Sequence, residues 1–419
     1  MSGRIPLPRD PVEAVVDGFT HGGEGVVRIE GKAVFVAGTL PGERVRVRVV
    51  EDRKRWARAE LLEVIDASPD RVEPPCPYVP ECGGCDLQHA APAAQRRLKT
   101  RVVIEQLTRL GGVQDPPVVS CREVGPATGY RNRAQLHADP EGRLGFHRSG
   151  TNTVVPIDRC LILNEPAQHV RDMVGDGSGA EELVVRGTER TGRAAATLAP
   201  GPGPLHLPDG TFDLLLRQPN GSTVTMRGTG ELTEEVAGLT YAFPADAFFQ
   251  NNTAGAEALV ANVLDAVGDA SGALTWDLYA GVGLLSLPLV RAGAEVLAVE
   301  GHAAAAAAAE RNAEANRLLL RVMAEPVATV LKRAVAGDTT LDPPEVVVLD
   351  PPRSGAGSEV IARLIALAPP TVVYVACDVA ALARDTRELT AAGYRLRRAV
   401  PLDLFPMTHH VEVVATFTR

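Results

Sequence analysis

Four short runs in the second half of the chain, Ala273 to Tyr279, Glu295 to Glu300, Glu345 to Asp350 and Thr371 to Cys377, alternate with stretches of helical character. That alternation constrains the fold more than any other feature. Parallel strands need long crossovers, and helices between strands supply them. From about Gly255 onward the chain therefore reads as a doubly wound α/β sheet, in which ligands collect at strand carboxyl ends. The Ala303 to Ala309 run, followed by Glu310, Arg311, Asn312 and Glu314, is a helix rather than low-complexity coil, since alanine is the best helix former.

Upstream the pattern is different. Residues 12 to about 66 fall into short β-like runs with Gly- and Pro-bearing turns, as a small barrel requires. Arg44, Arg46 and Arg48 share one strand face, with Trp56 near for stacking. A cysteine-bearing stretch follows, then a helix from roughly Ala91 to Leu110, then strands between 180 and 245. The expected division is 1–66 for the barrel, 67–245 for a β-rich central domain with the cysteine cluster, and 246–419 for the α/β domain.

A length of 419 residues calls for two or three cores, and aromatics are only 4% of the chain, so small aliphatic side chains do the packing. The opening residues carry no apolar leader and no long apolar stretch could span a bilayer, which points to the cytoplasm. Six cysteines in a reducing compartment argue for metal ligation or catalysis rather than disulfides. A net charge of -9 argues globally against a nucleic-acid partner. Locally, Arg44, Arg46, Arg48, Arg53, Lys54, Arg55 and Arg58 face only Glu51 and Asp52 within their run, so this strand is expected to grip phosphates at a distance from the chemistry.

Asp277-Leu-Tyr279-Ala-Gly281-Val-Gly283 ends one strand and opens a helix, and its glycines permit a tight turn close to a ligand. Glu300 closes the next strand, where a carboxylate can accept from both ribose hydroxyls. Leu284 leaves no third glycine for a pyrophosphate, so a nucleoside without one suits the loop. In Asp350-Pro-Pro-Arg353 the prolines hold Asp350 at a strand end, and Arg353 suits a phosphate or a carbonyl oxygen. Cys377 stands at another strand end, and Glu412 follows Phe405-Pro-Met-Thr-His-His-Val on the last predicted strand. Cys76, Cys82, Cys85 and Cys160 could hold zinc or an iron-sulfur cluster, while Cys121 reads as a core residue.

With Asp246-Ala-Phe-Phe-Gln250-Asn-Asn252 added, these motifs together resemble the RNA 5-methyluridine (uracil-C5) methyltransferase family over nearly the whole chain. The resemblance implies a class I, Rossmann-like methyltransferase domain behind an N-terminal TRAM domain, an RNA-binding β-barrel. It places S-adenosylmethionine at Gln250, Tyr279, Gly281, Gly283, Glu300 and Asp350. Cys377 becomes the nucleophile that adds to uracil carbon 6, and Glu412 the base that removes the carbon-5 proton. Cys82-Gly-Gly-Cys85-Asp-Leu-Gln-His89 implies a 4Fe-4S cluster on Cys76, Cys82, Cys85 and Cys160. The implied partner is RNA, with 23S ribosomal RNA ahead of tRNA uridine-54, and a catalytically impaired RNA-binding relative is the further alternative. Val379, Ala376 and Leu284 stand where the family usually has proline, serine and a polar residue. Oligomeric state is left open, a monomer being compatible.

Overall fold

The computed structural model of the protein describes residues 7, 8 and 10–419; the opening Met1–Pro6, read above as lacking a leader, and Arg9 lie outside the described residues. Strands Val12–Phe19, Gly25–Ile29, Lys32–Val36, Arg44–Asp52 and Trp56–Asp66 form a closed barrel. Closure comes from the first strand, which pairs with the second on one edge and the fourth on the other. Strand alternation fills the interior: Val45 and Val47 are fully buried while Arg44 and Arg48 stay exposed.

The barrel corrects the charge reading of that strand. Arg44 pairs with Glu13 at 3.2 Å and Asp66 at 2.7 Å, Arg46 with Glu13 at 3.2 Å and Glu63 at 2.6 Å, and Arg48 with Glu60 at 3.8 Å. Their carboxylates come from the neighbouring strands, so a count along one run could not see them. Arg53 and Arg58 are also paired, with Glu51 at 2.7 Å and Glu24 at 3.1 Å.

The central region is a seven-stranded sheet, in spatial order Thr223–Arg227, Asp213–Arg217, Ala194–Pro200, Ala180–Gly187, Arg133–Ala138, Leu144–His147 and Val154–Pro156. Helix Glu165–Val174 covers one face, burying Ala167 and Val170 against Leu183, Val185 and Leu198. A separate hairpin, Glu231–Val236 with Leu239–Pro244, leads toward the α/β region.

That region holds an eight-stranded sheet, ordered Arg321–Met323, Glu295–Val299, Leu274–Leu278, Val346–Leu349, Thr371–Ala376, Glu412–Thr418, Arg395–Asp403 and Arg122–Glu123. Its strands run parallel except Glu412–Thr418, which is antiparallel to both neighbours. Alternate residues serve opposite faces: Val346 and Val348 enter one core, Val347 and Leu349 the other. Helix Pro92–Arg109, expected over Ala91 to Leu110, packs on this sheet and sends Lys99 into a buried pair with Asp403 at 2.5 Å. No helix among the described residues is long and apolar enough to cross a membrane.

Candidate active site

Register brings the chemistry-bearing residues to one edge. Leu278 pairs with both Val299 and Leu349, and Leu349 with Tyr374, so Tyr279, Glu300 and Asp350 leave adjacent strands at the same level. The reversed strand Glu412–Thr418 adds its first residue to that edge. Because Ala376 faces Val413, Cys377 and Glu412 sit across from each other just beyond the pairing.

The glycine loop carries backbone strain where a ligand would approach. Tyr279 has a left-handed φ of +65°, which costs a non-glycine residue on the order of 1 kcal/mol and persists only where the surroundings enforce it. Val299 enforces it, its carbonyl accepting from Tyr279 N–H at 2.9 Å and Ala280 N–H at 3.1 Å. Gly281 has φ +57° and donates its N–H to Glu300 Oε2 at 2.8 Å, while His302 N–H reaches Glu300 Oε1 at 2.7 Å. Each carboxylate oxygen keeps a lone pair for a ribose hydroxyl. Gln250 is buried, its carbonyl accepting from Asn132 Nδ2 at 2.9 Å, and Asn252 caps helix Thr253–Val267.

Four acidic groups, Asp277, Glu300, Asp350 and Glu412, crowd this edge. Burial pushes Asp277 up to about 7, with Asp350 and Glu300 adding to the shift and the hydroxyl of Ser286, 2.5 Å away, opposing it. Asp350 is half-buried, and burial raises it to about 7 as well. Glu412, 3% exposed, is raised by burial and then by the charge of Asp350, with Arg353 opposing. The Cys377 thiol is pushed up to about 12 by burial first, then by Glu412 and Asp350. Arg353 is the cation that lowers both Cys377 and Glu412, and among the described residues it has no ion-pair partner.

The segment before Glu412 is held from three sides. Met407, at φ +68°, donates its N–H to Gln95 Oε1 at 2.8 Å and accepts from Asp86 and Leu87 N–H at 3.1 and 3.0 Å. Tyr130 Oη donates to the Pro406 carbonyl at 2.9 Å, and Lys99 Nζ to the Phe405 carbonyl at 3.0 Å. Asp86 accepts from His409 N–H at 2.8 Å and contacts the same residue's Nδ1.

Cys76, Cys82, Cys85 and Cys160 line one cavity of about 340 Å³, whose wall also includes Arg131, Arg133, Thr408, His409 and His410. All four are free thiols. Burial raises Cys82 and Cys160 and pushes Cys85 up to about 12, with Gly84 N–H opposing at Cys82 and the charge of Arg131 opposing at Cys160. Backbone N–H groups already point at the sulfurs: Gly84 at Cys82, Ile162 and Leu163 at Cys160. Among the described residues, no three His, Cys, Asp or Glu side chains converge as a ready set for one metal ion; the thiols face a shared space instead.

A family model described as tRNA (Uracil-5-)-methyltransferase matches residues 230–419, and a TRAM domain model matches residues 9–62. The 23S rRNA (uracil(1939)-C(5))-methyltransferase of Pectobacterium atrosepticum is 33% identical, covering 99% of this chain and 95% of its own. This chain belongs to the RNA uracil-C5 methyltransferase family. An uncharacterized RNA methyltransferase of Streptomyces avermitilis is 37% identical over 96% of this chain and 97% of its own. Among solved structures, the Pyrococcus abyssi tRNA (uracil-54, C5)-methyltransferase in complex with S-adenosyl-L-homocysteine superposes with a TM-score of 0.75 at 25% identity, over 97% of this chain and 100% of that one. The protein is thus an RNA methyltransferase with S-adenosylmethionine as methyl donor, as the motifs implied.

Several groups named along the chain only as motif context also shape the methyltransferase site. Asp385 Oδ2 accepts from Tyr374 Oη at 2.6 Å and Ala356 N–H at 3.0 Å, fixing the loop that follows Arg353. Phe248, two residues before Gln250, is 72% exposed. His410 lies edge-on to Phe405 at 6.1 Å. A buried acid ahead of a glycine loop was the one available signal, and it pointed to Asp277.

Proposed function

We propose that this enzyme methylates carbon 5 of a uridine in 23S ribosomal RNA, with Cys377 as nucleophile and Glu412 as base. The observation that carries the reading is the placement of a thiol and a buried carboxylate across one strand pair, beside Asp350 and the unpaired Arg353. Gln250, Tyr279, Gly281, Gly283, Glu300 and Asp350 are the residues that would hold S-adenosylmethionine, which supplies the methyl group. The Cys377 thiolate adds to carbon 6, and its electron pair makes carbon 5 nucleophilic. Carbon 5 takes the methyl group, Glu412 then removes the carbon-5 proton, and the freed pair restores the 5,6 double bond as the thiolate leaves. Arg353 favours both charged forms this sequence needs and suits a uracil oxygen. The uridine must be unpaired or flipped to enter.

Cys76, Cys82, Cys85 and Cys160 fit a 4Fe-4S cluster: four free thiols on one cavity, with backbone N–H groups aimed at the sulfurs. When bound, the cluster supplies a cross-link between the 76–85 segment and Cys160, for the methyl transfer requires no redox step. Arg131 and Arg133 line the same cavity and, among the described residues, form no ion pair, so they are the cations offered to RNA phosphates near the site. The ribosomal reading rests on the full-length Pectobacterium relative; tRNA, the substrate named for the Pyrococcus protein, is the alternative. A cytoplasmic location accords with either.

The test is Glu412→Gln with methyl donor and both RNAs. A protein–RNA adduct stable on a denaturing gel, formed with 23S fragments and absent with tRNA, is the expected result. Turnover retained without an adduct would remove Glu412 as base, and an adduct with tRNA alone would reassign the substrate.

A further inference from the structure

The barrel does not stand off from the chemistry. Its Thr20–Glu24 turn, closed by Thr20 N–H to the Glu24 carbonyl at 2.8 Å, meets the catalytic edge at two points. His21 Nε2 lies 3.6 Å from Asp378 Oδ2. Gly23, at φ +81°, sits so close to the segment before Glu412 that a Cβ there would fall 2.9 Å from His409 Cβ and 3.2 Å from Asp86 Oδ2. One turn of the RNA-binding barrel thus touches the residue after Cys377 and the segment that leads to Glu412.

Asp378 is the link that gives the first contact leverage. It immediately follows Cys377 and caps helix Val379–Ala391, its Oδ1 accepting from Ala381 N–H at 2.7 Å. One carboxylate oxygen therefore anchors the helix while the other faces the barrel. We infer that His21 is a positioning residue for methyl transfer: through Asp378 it fixes the turn that aims the Cys377 sulfur, and so couples the seating of the barrel to nucleophilic attack. Burial lowers the His21 pKa, with Asp378 opposing and His409 adding to the shift, which disfavours the charged form. At 3.6 Å the contact is longer than a direct hydrogen bond, so it acts through packing and orientation more than through charge. Both side chains are about one-third exposed, which makes the pair a weak source of stability and leaves local orientation as its effect.

The inference rests on Cys377 being the nucleophile, and the experiment separates the two. RNA carrying 5-fluorouridine at the target position forms a lasting bond from sulfur to carbon 6, because fluorine at carbon 5 cannot leave as a proton. Adduct formation is followed at saturating RNA and S-adenosylmethionine for the full-length parent, His21→Ala, His21→Gln, Asp378→Asn, the double variant His21→Ala/Asp378→Asn, and Cys377→Ala. Asp378→Asn keeps a good helix cap but removes the charge that faces His21. Misplacing a reacting atom by a fraction of an ångström costs roughly tenfold or more in rate. His21→Ala is expected to slow adduct formation by about that factor, with RNA and cofactor dissociation constants within about twofold of the parent. His21→Gln, which retains a donor, is expected to recover most of the rate, and the double variant to be no slower than the slower single one. A parental rate in His21→Ala, a loss that appears only in RNA affinity, or additive losses in the double variant would each overturn the inference. An adduct in Cys377→Ala would instead overturn the nucleophile assignment.

Discussion

Removing two whole ion pairs from the barrel, by Arg44→Gln with Asp66→Asn and Arg46→Gln with Glu63→Gln, is expected to leave the salt dependence of RNA binding almost unchanged. Arg44, Arg46 and Arg48 face four carboxylates, Glu13, Asp66, Glu63 and Glu60, on the neighbouring strands. A phosphate could reach these guanidiniums only by displacing a carboxylate already there, so little counterion would be released. Exposed pairs of this kind stabilise a fold by about 0–1 kcal/mol, so the variant should stay folded. Arg131 and Arg133 differ, lining the cavity beside the catalytic segment without ion pairs among the described residues. Each free cation that meets a phosphate contributes roughly 0.7 to 0.9 to the slope of log affinity against log salt. Arg131→Gln with Arg133→Gln should therefore flatten the slope by about 1.5, making the loss of affinity between about 0.05 and 0.2 M salt roughly tenfold smaller. Fluorescence anisotropy on one folded RNA fragment, titrated at four salt concentrations, reads both variants. The reasoning fails if the barrel variant loses a full unit of slope while the Arg131/Arg133 variant loses none.

Other outcomes follow from the buried charges and thiols. Glu412 and Cys377 are both shifted upward, so their reactive, deprotonated forms populate only as pH rises; kcat/KM should climb from pH 6 to 9, and Asp350→Asn, which removes a neighbouring negative charge, should move the climb to lower pH. A flat profile over that range would contradict the assignment. Lys99→Met should destabilise the fold by on the order of 3–5 kcal/mol by stranding buried Asp403, and Asp403→Leu in the same chain should recover most of it; a single-variant loss under about 1 kcal/mol in urea denaturation would count against the pair. Protein purified without oxygen should be brown, with about four irons and four sulfides per chain, and Cys160→Ser should lose them along with stability. Stoichiometric zinc without iron would replace the cluster by an ion.

The alternation of strand and helix after Gly255, the turn at the glycine loop, and the strand-end positions of Glu300, Asp350 and Cys377 were all legible along the chain, because each rests on local chemistry: periodicity, turn requirements, and residues that end a strand. The same is true of the cysteine spacing and of the barrel's short strands. What one-dimensional reading cannot supply is the partner across a sheet. Arg44, Arg46 and Arg48 looked like a free basic face because Glu13, Glu60, Glu63 and Asp66 belong to other strands, brought alongside only by closure of the barrel. The insertion of Glu412–Thr418 between Thr371–Ala376 and Arg395–Asp403 is equally a matter of topology, and it alone sets Glu412 opposite Cys377. His21 read only as part of the barrel's opening stretch, with nothing to tie it to the catalytic edge. Its place beside Asp378, more than three hundred and fifty residues away in the chain, exists only because the barrel packs its first turn against the catalytic edge. Side-chain types and local spacing thus determined which chemistry this protein holds, while non-local pairing decided which charges remain free and which groups meet.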